Sequence, residues 1–476
     1  MRWLSFVVVL ALLVVGGHAT SASATPMQSG PPPTVTGENG VVYPTDPEGR
    51  ALLLRGWEYS DDSCGSTSFS GAAEKFRQMA ALGYNAVRVP FNWECMEPTF
   101  GEYDEAYLSA FARVFRAAED AHLMVTPDLN DHFPTWVLDR AGRQPGTSSV
   151  EFGSTAIGSA DLGPSVLGKH GDLEFLAAWG LVYDNPEVRG RVLDLWAMFA
   201  GRFHDEPSLF GYDLFNEPLF DPLAQGASVI DPLAAEADEL TPLYQDLTDR
   251  IRAVDTTHWV LVEPFWAGVG SLAQPTRLGE IRDPQRKIAY APHIYDLSME
   301  SGGDYEPASG FVQRYWDAVV RYPKQHGLPL LIWEWGTRDP KSPNAGRYVD
   351  EVTAGIDAHA AGSMAFVWCT GLSGWCNLGD DGLPGAAMAS TVSAYPQRIA
   401  GVPIALSTSG VGTRLSYRPG GDQPTLVIVP KAAYPGGYEV DLAGATYTVT
   451  PKGTFDVVGI SADPGSATVE VTVRPK

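Results

Sequence analysis

The chain has 476 residues, of which 57 are acidic and 33 basic, for a formal net charge of −24. That balance excludes nucleic acid as a partner and gives no electrostatic attraction to an anionic membrane. With 44% hydrophobic residues, the length allows one large domain with its own core and a smaller second one.

In chain order, the first feature is MRWLSFVVVLALLVVGGHATSASA, residues 1–24. Arg2 gives a positive start, Leu4 to Val15 an apolar run, and Ala22-Ser23-Ala24 a small-residue cleavage pattern. This predicts a signal peptide cleaved near Ala24 and a secreted, extracellular protein. A membrane anchor, the alternative, needs a longer apolar span. Residues 25–40, rich in Pro, Gly and Ser, read as an N-terminal linker or arm.

Between residues 41 and 396 eight short apolar runs recur: 51–57, 85–91, 123–130, 209–217, 259–265, 287–295, 329–336 and 363–369. Amphipathic stretches separate them, among them 72–83, 105–121, 191–203 and 241–254, with apolar residues at helical spacing. Eight strand–helix units predict an α/β fold of the (β/α)8 TIM-barrel type. A doubly wound sheet is the rival, but no Gly-rich phosphate turn follows the first strand. Residues 141–171, rich in Gly and Ser, read as an active-site flap, or as an inert surface insertion. From 397 to 476 the helical pattern stops. Short alternating runs between Gly/Pro turns predict a C-terminal antiparallel β-sandwich domain.

Four cysteines in a large exported chain suggest two disulfides. Cys369 and Cys376 are spaced to close one loop, WCTGLSGWC, leaving Cys64 for Cys95, although four cysteines allow three connectivities. No spacing resembles a zinc site. Neither a metal nor an organic cofactor is expected.

A barrel of this kind carries its active site at the C-terminal ends of its strands. The polar residues there are Arg88, Asp128 and Asn130, Asn216 and Glu217, His293 and Tyr295, Glu334, and finally Trp368. Each has a bland reading: a buried ion pair for Arg88, a core histidine for His293, core packing for Trp368. Their convergence on one mouth favours chemistry. Glu217 and Glu334 end strands four and seven, on opposite sides of the opening. Two carboxyl groups about 5 Å apart serve retaining glycoside hydrolysis, and a wider gap serves inversion. Asn216 is placed for a sugar 2-hydroxyl, Tyr295 and Arg88 to hold Glu334 ionised, His293 to tune Glu217, and Trp368 to stack on a sugar.

VRVP (87–90), NEP (216–218), HIY (293–295), WEWG (333–336) and Trp368 together resemble the pattern of glycoside hydrolase family 5. The resemblance implies that Glu217 is the acid/base and Glu334 the nucleophile. Within that family the chain is most similar to the endoglycoceramidases. The likeness rests on RFHDEPSLFGYDLFNEP, YPQRIAGVPIALSTSG and PTLVIVPKAAYPGGYEV, and covers nearly all the mature chain. One departure stands out. Endoglycoceramidases usually carry His-Gln-Asp after strand three, whereas this chain reads PDLNDHF, placing Asn130, Asp131 and His132 there. By the resemblance these groups hydrogen-bond the sugar next to the scissile bond, so a galactose-preferring, endogalactosylceramidase-like enzyme is an open alternative. The acidic, aromatic RGWEYSDDSC ending strand one also points to a reshaped sugar pocket.

Phe133, Trp136, Val137, Leu138, Leu176, Trp179, Leu219 and Phe220 cluster in sequence around the mouth and could line an apolar channel for a lipid aglycone. Ordinary loop-to-helix packing is the bland reading of each. The expectation is therefore a retaining endo-β-glycosidase that cleaves between glycan and ceramide of glycosphingolipids. It would be a monomer that touches lipid micelles or membrane surfaces transiently. A β-glucanase acting on polysaccharides is the alternative. A non-catalytic binding protein would have no need of both glutamates.

Overall fold

A computed structural model of the chain describes residues 31–130, 132–141, 173–220, 232–371, 374–410 and 412–476. The predicted signal peptide, nearly all of the predicted flap, and Asp131 lie outside the described residues. Among the described residues no helix is long and apolar enough to cross a membrane.

Eight parallel strands form a closed barrel: β1 (Leu54–Glu58), β2 (Ala86–Asn92), β3 (Met124–Asn130), β4 (Gly211–Asp213), β5 (Trp259–Val262), β6 in two pieces (Ile288–Tyr290 and His293–Ile294), β7 (Leu331–Trp335) and β8 (Gly362–Ala365). Pairing of Gly362 with Leu54 closes the ring at β8–β1, and pairing of His293 with Glu334 joins β6 to β7. Every residue of β2 is buried. Strands of a barrel are covered on both faces, so even the polar Arg88 and Asn92 of β2 are out of water.

The helices obey their local signals. Asp104 caps Glu105–Ala121 by accepting the N–H groups of Ala106 and Tyr107, and His122 ends it in the left-handed conformation. Asn185 caps Pro186–Phe203, which therefore begins earlier than the 191–203 periodicity suggests, because Pro186 suits a first helical turn.

Three expectations need correction. The run 51–57 is not one barrel strand. Ala51–Leu52 pairs antiparallel with Tyr395–Ile399 of the C-terminal domain, and the barrel strand starts at Leu54. The run 209–217 is strand only at Gly211–Asp213, because the chain turns away before Asn216 and Glu217. The N-terminal arm is not irregular throughout: Thr34–Thr36 pairs antiparallel with Val42–Pro44, and the Glu38 N–H donates to Pro403 O at 2.7 Å.

Residues 395–475 form most of a five-stranded and all of a four-stranded antiparallel sheet, with Ala51–Leu52 as the borrowed edge of the first. Leu406, Leu415 and Tyr417 of one sheet share a core with Val427, Val429 and Ile460 of the other, as in a β-sandwich.

Gly56 in β1 is dictated by close approach. A Cβ there would lie 1.9 Å from Ala86 O of β2 and 2.9 Å from Met364 Sδ of β8. Gly56→Ala is accordingly expected to cost about 3 kcal/mol, read as a lowered urea midpoint. An unchanged midpoint would mean that β1 and β2 part at no cost.

Candidate active site

The site is built around Arg88. Its place in β2, on a register that pairs it with Glu58 of β1, turns the guanidinium into the barrel mouth with no exposure. Nη1 donates to Glu58 Oε2 at 2.5 Å and to Glu334 Oε2 at 2.8 Å. Nη2 donates to Asn216 Oδ1 and Glu263 Oε1, both at 3.0 Å, and lies 3.1 Å from Asp128 Oδ1. Nε donates to Asp213 Oδ2 at 2.9 Å. A planar guanidinium with five donors meets this many acceptors; an ammonium could not.

Above Arg88 stand the two glutamates. The Glu217 Oε1 atom is 3.0 Å from His293 Nδ1. Tyr295 O–H donates to Glu334 Oε1 at 2.7 Å, and His293 Nδ1 is 4.0 Å from that same oxygen. One oxygen of Glu217, one of Glu334 and a ring nitrogen of His293 all lie within 4.8 Å of one another.

Protons must be shared here. Six carboxyl groups, from Glu58, Asp128, Asp213, Glu217, Glu263 and Glu334, face the cations of Arg88 and His293. Burial pushes Asp128, Asp213 and Glu334 well above the usual carboxylate range, against the pull of Arg88 on each. Both oxygens of Asp128 and Oδ1 of Asp213 find no hydrogen-bond donor, so a proton there breaks no hydrogen bond. Both oxygens of Glu334 already accept hydrogen bonds, from Arg88 and Tyr295. We therefore place the negative charge on Glu334 and the shared protons elsewhere in the cluster, on the aspartates first. Burial also opposes the charge of His293, but Glu263, then Glu334 and Glu217, outweigh it and hold the imidazole well above its ordinary value.

The structure thus gathers Arg88, Asn216, Glu217, His293, Tyr295 and Glu334. Other sequence-predicted residues lie differently. Asp128 is fully buried beneath Arg88 and reaches no substrate, and Arg88, equally buried, serves by holding Glu334 and Asn216 rather than by binding substrate itself. Trp368 is also misassigned. Because β8 ends at Ala365, strand alternation does not extend to it. Its ring packs edge-on against Trp57 at 5.3 Å and its Nε1 donates to Gln78 at 3.2 Å. The aromatic beside Tyr295 is Trp375 instead, edge-on at 5.1 Å, on the loop closed by Cys369–Cys376.

The second disulfide joins Cys64 to Cys95, next to Glu94, which lies 3.3 Å from His132 Nδ1. Asn130 ends β3, half-buried and paired in register with Asn92.

Trp179 is fully buried too, so it offers no face to a sugar. It packs against Phe133 at 5.5 Å and Phe215 at 5.0 Å, and stacks on Tyr183 at 6.0 Å. Phe220 continues the row between Tyr183 and Phe265. The result is an unbroken aromatic wall from the end of β3 to the end of β5.

Glu58, Asp213 and Glu263 were missed as site residues. The rule that found Glu217 and Glu334 applies equally to Glu263, which closes the apolar run WVLV.

Comparison with known families agrees with this geometry. The profile of Cellulase (glycosyl hydrolase family 5) matches residues 46–371, and that of the Glycoside hydrolase family 5 C-terminal domain matches residues 394–473. The chain belongs to glycoside hydrolase family 5. It is a glycosidase. Endoglycoceramidase I of Rhodococcus hoagii is 24% identical over 483 residues, covering 93% of this chain and 89% of that one. An endoglycoceramidase of Cyanea nozakii is 27% identical over 219 residues, 42% of either chain. Among solved structures, endo-glycoceramidase II from Rhodococcus sp. in its ganglioside GM3 complex superposes with a TM-score of 0.74 at 25% identity, covering 91% of this chain and 99% of that one.

Proposed function

We propose that this family 5 glycosidase is a secreted retaining endo-β-glycosidase that splits glycosphingolipids between glycan and ceramide. The observation that carries the chemistry is the approach of Glu217 and Glu334 within 4.8 Å, the close spacing that retention uses. Glu334, held by Arg88 and Tyr295, attacks the anomeric carbon. The bond to the aglycone oxygen breaks as Glu217 delivers its proton to that oxygen. In the second step Glu217 takes a proton from water, the water oxygen bonds to the anomeric carbon, and Glu334 leaves as carboxylate. Asn216 has its carbonyl oxygen occupied by Arg88, which leaves its NH2 group to bind the sugar 2-hydroxyl. Asn130 and His132 flank the sugar at the scissile bond.

Three things support the lipid aglycone and the export. The likeness to proteins named endoglycoceramidase extends over most of the chain. Among the described residues Phe100 and Tyr447 are the exposed large aromatics, so no row of stacking platforms marks a polysaccharide cleft. Two disulfides suit an oxidising compartment.

The test is a panel in neutral detergent micelles: glycosphingolipids with glucose linked to ceramide, galactosylceramides, and soluble β-glucans. Intact glycan and free ceramide are expected from the lipids, and the preferred lipid identifies the sugar. Products from β-glucans alone would overturn the ceramide reading.

A further inference from the structure

Glu263, at the end of β5, is only 2% exposed, so no substrate can bind it. Yet it touches the acid/base by two routes. Its Oε2 accepts the main-chain N–H of Glu217 at 2.9 Å. Its Oε1 lies 3.1 Å from His293 Nε2, and the other ring nitrogen of that histidine lies 3.0 Å from Glu217 Oε1. The contacts close a ring from the Glu217 main chain through Glu263 and His293 back to the Glu217 carboxyl. Arg88 and Tyr244 hold Glu263 itself, the first at Oε1 and the second by donating its O–H to the Glu263 carbonyl at 3.0 Å.

Two features of the site call for such a ring. Glu217 has φ +45°, a left-handed conformation strained for a side chain of this size and kept only where its surroundings over-determine it. A charge-assisted bond from its N–H to a buried carboxylate does so. His293, in turn, has two chemically distinct nitrogens, and the partner of one decides what the other offers. The charge of a carboxylate 3.1 Å from Nε2, an ion-pair contact rather than a hydrogen bond, favours a proton there, and Nδ1 is turned to Glu217. The charged groups facing His293 are Asp213 and Glu217 from the β4 end, Glu263 from β5 and Glu334 from β7, while Arg88 from β2 and Tyr295, just past the end of β6, bond to Glu334.

From this ring we infer that Glu263 is the positioning residue of the acid/base, holding Glu217 in place through its main chain and through the His293 imidazole. The inference rests on Glu217 acting as acid/base, so the experiment tests both separately.

The experiment compares Glu263→Gln and Glu263→Asp with the parent enzyme. It measures the pH profile of kcat/KM on a glycosphingolipid, whose leaving group needs a proton, and on an activated aryl β-glycoside, whose leaving group does not. Glu263→Gln removes one negative charge, so the coupled proton equilibria of the cluster move to lower pH. Its alkaline limb is expected about one unit lower, with activity on the glycosphingolipid down about 100-fold and the aryl glycoside much less affected. Glu263→Asp keeps the charge and is expected to leave the limb at the parental pH, with a smaller loss again confined to the glycosphingolipid. A folded Glu263→Gln with the parental limb and an equal loss on both substrates overturns the inference. If that variant does not fold, Glu263→Asp decides: an equal loss on both substrates overturns it.

Glu217→Ala with added azide is the control. Azide rescue on the aryl glycoside establishes Glu217 as acid/base, whatever Glu263 does. Failure of rescue sinks the reading of Glu217, and the inference with it.

Discussion

Glu334→Gln is expected to lower kcat for glycoside cleavage on the order of 10⁵-fold, the scale of removing a covalent nucleophile, without loss of fold. The amide is nearly isosteric and stays within reach of Arg88 and Tyr295, which hold the carboxylate at 2.8 and 2.7 Å. It also removes one of six carboxyl groups from a site with two cations, which relieves repulsion. The melting temperature should therefore fall by no more than about 3 °C, and a rise is admissible, since active sites trade stability for function. A 2-deoxy-2-fluoro aryl glycoside should trap the parent as an ester on the peptide that carries Glu334, read by mass spectrometry. Wild-type turnover by Glu334→Gln, or an adduct on another residue, would remove Glu334 from the nucleophile's role.

Arg88→Met is expected to do what Glu334→Gln does not: destabilise the fold itself, by about 3–5 kcal/mol. Glu58, Asp128, Asp213, Glu263 and Glu334 all lie within 3.1 Å of the guanidinium, and methionine leaves them facing one another. The loss should depend on pH, with a definite sign. In the parent, Asp128, Asp213 and Glu334 already sit above their ordinary values because burial outweighs Arg88. Without Arg88 they rise further. The folded variant then binds more protons than the unfolded chain, so its stability falls as pH rises above the ordinary carboxylate range. The gap in melting temperature between parent and variant should be smaller near about pH 5 than near about pH 8. Equal gaps at both would show that Arg88 acts by packing and not as countercharge.

The aspartates under Arg88 also explain why a close reading of strand ends found some site residues and not others. Residues that end an apolar run and reach the mouth, such as Asn216, Glu217, His293, Tyr295 and Glu334, announce themselves by position. Asp128 lies two residues before the end of its run yet sits beneath the guanidinium, fully buried, because strand polarity is visible in sequence and depth is not. Glu263 closes its run WVLV by the same rule, but its role lies in touching Glu217 and His293, residues 46 and 30 positions away, and no local pattern records such contacts. Trp368 shows where alternation fails. The strand stops at Ala365, and past that point side-chain direction follows the loop.

The sequence by itself determined the barrel, its strand order and the C-terminal β domain, because eight apolar runs separated by amphipathic helices bury their faces in few other ways, and it offered Glu217 and Glu334 as the catalytic candidates. Only the tertiary structure decided that Ala51–Leu52 serves the neighbouring domain, that Trp375 and not Trp368 flanks Tyr295, and that one arginine gathers five carboxyl groups. Those are matters of depth and long-range contact, set when strands distant in the chain close into one ring and their buried charges must be neutralised by whatever lies opposite.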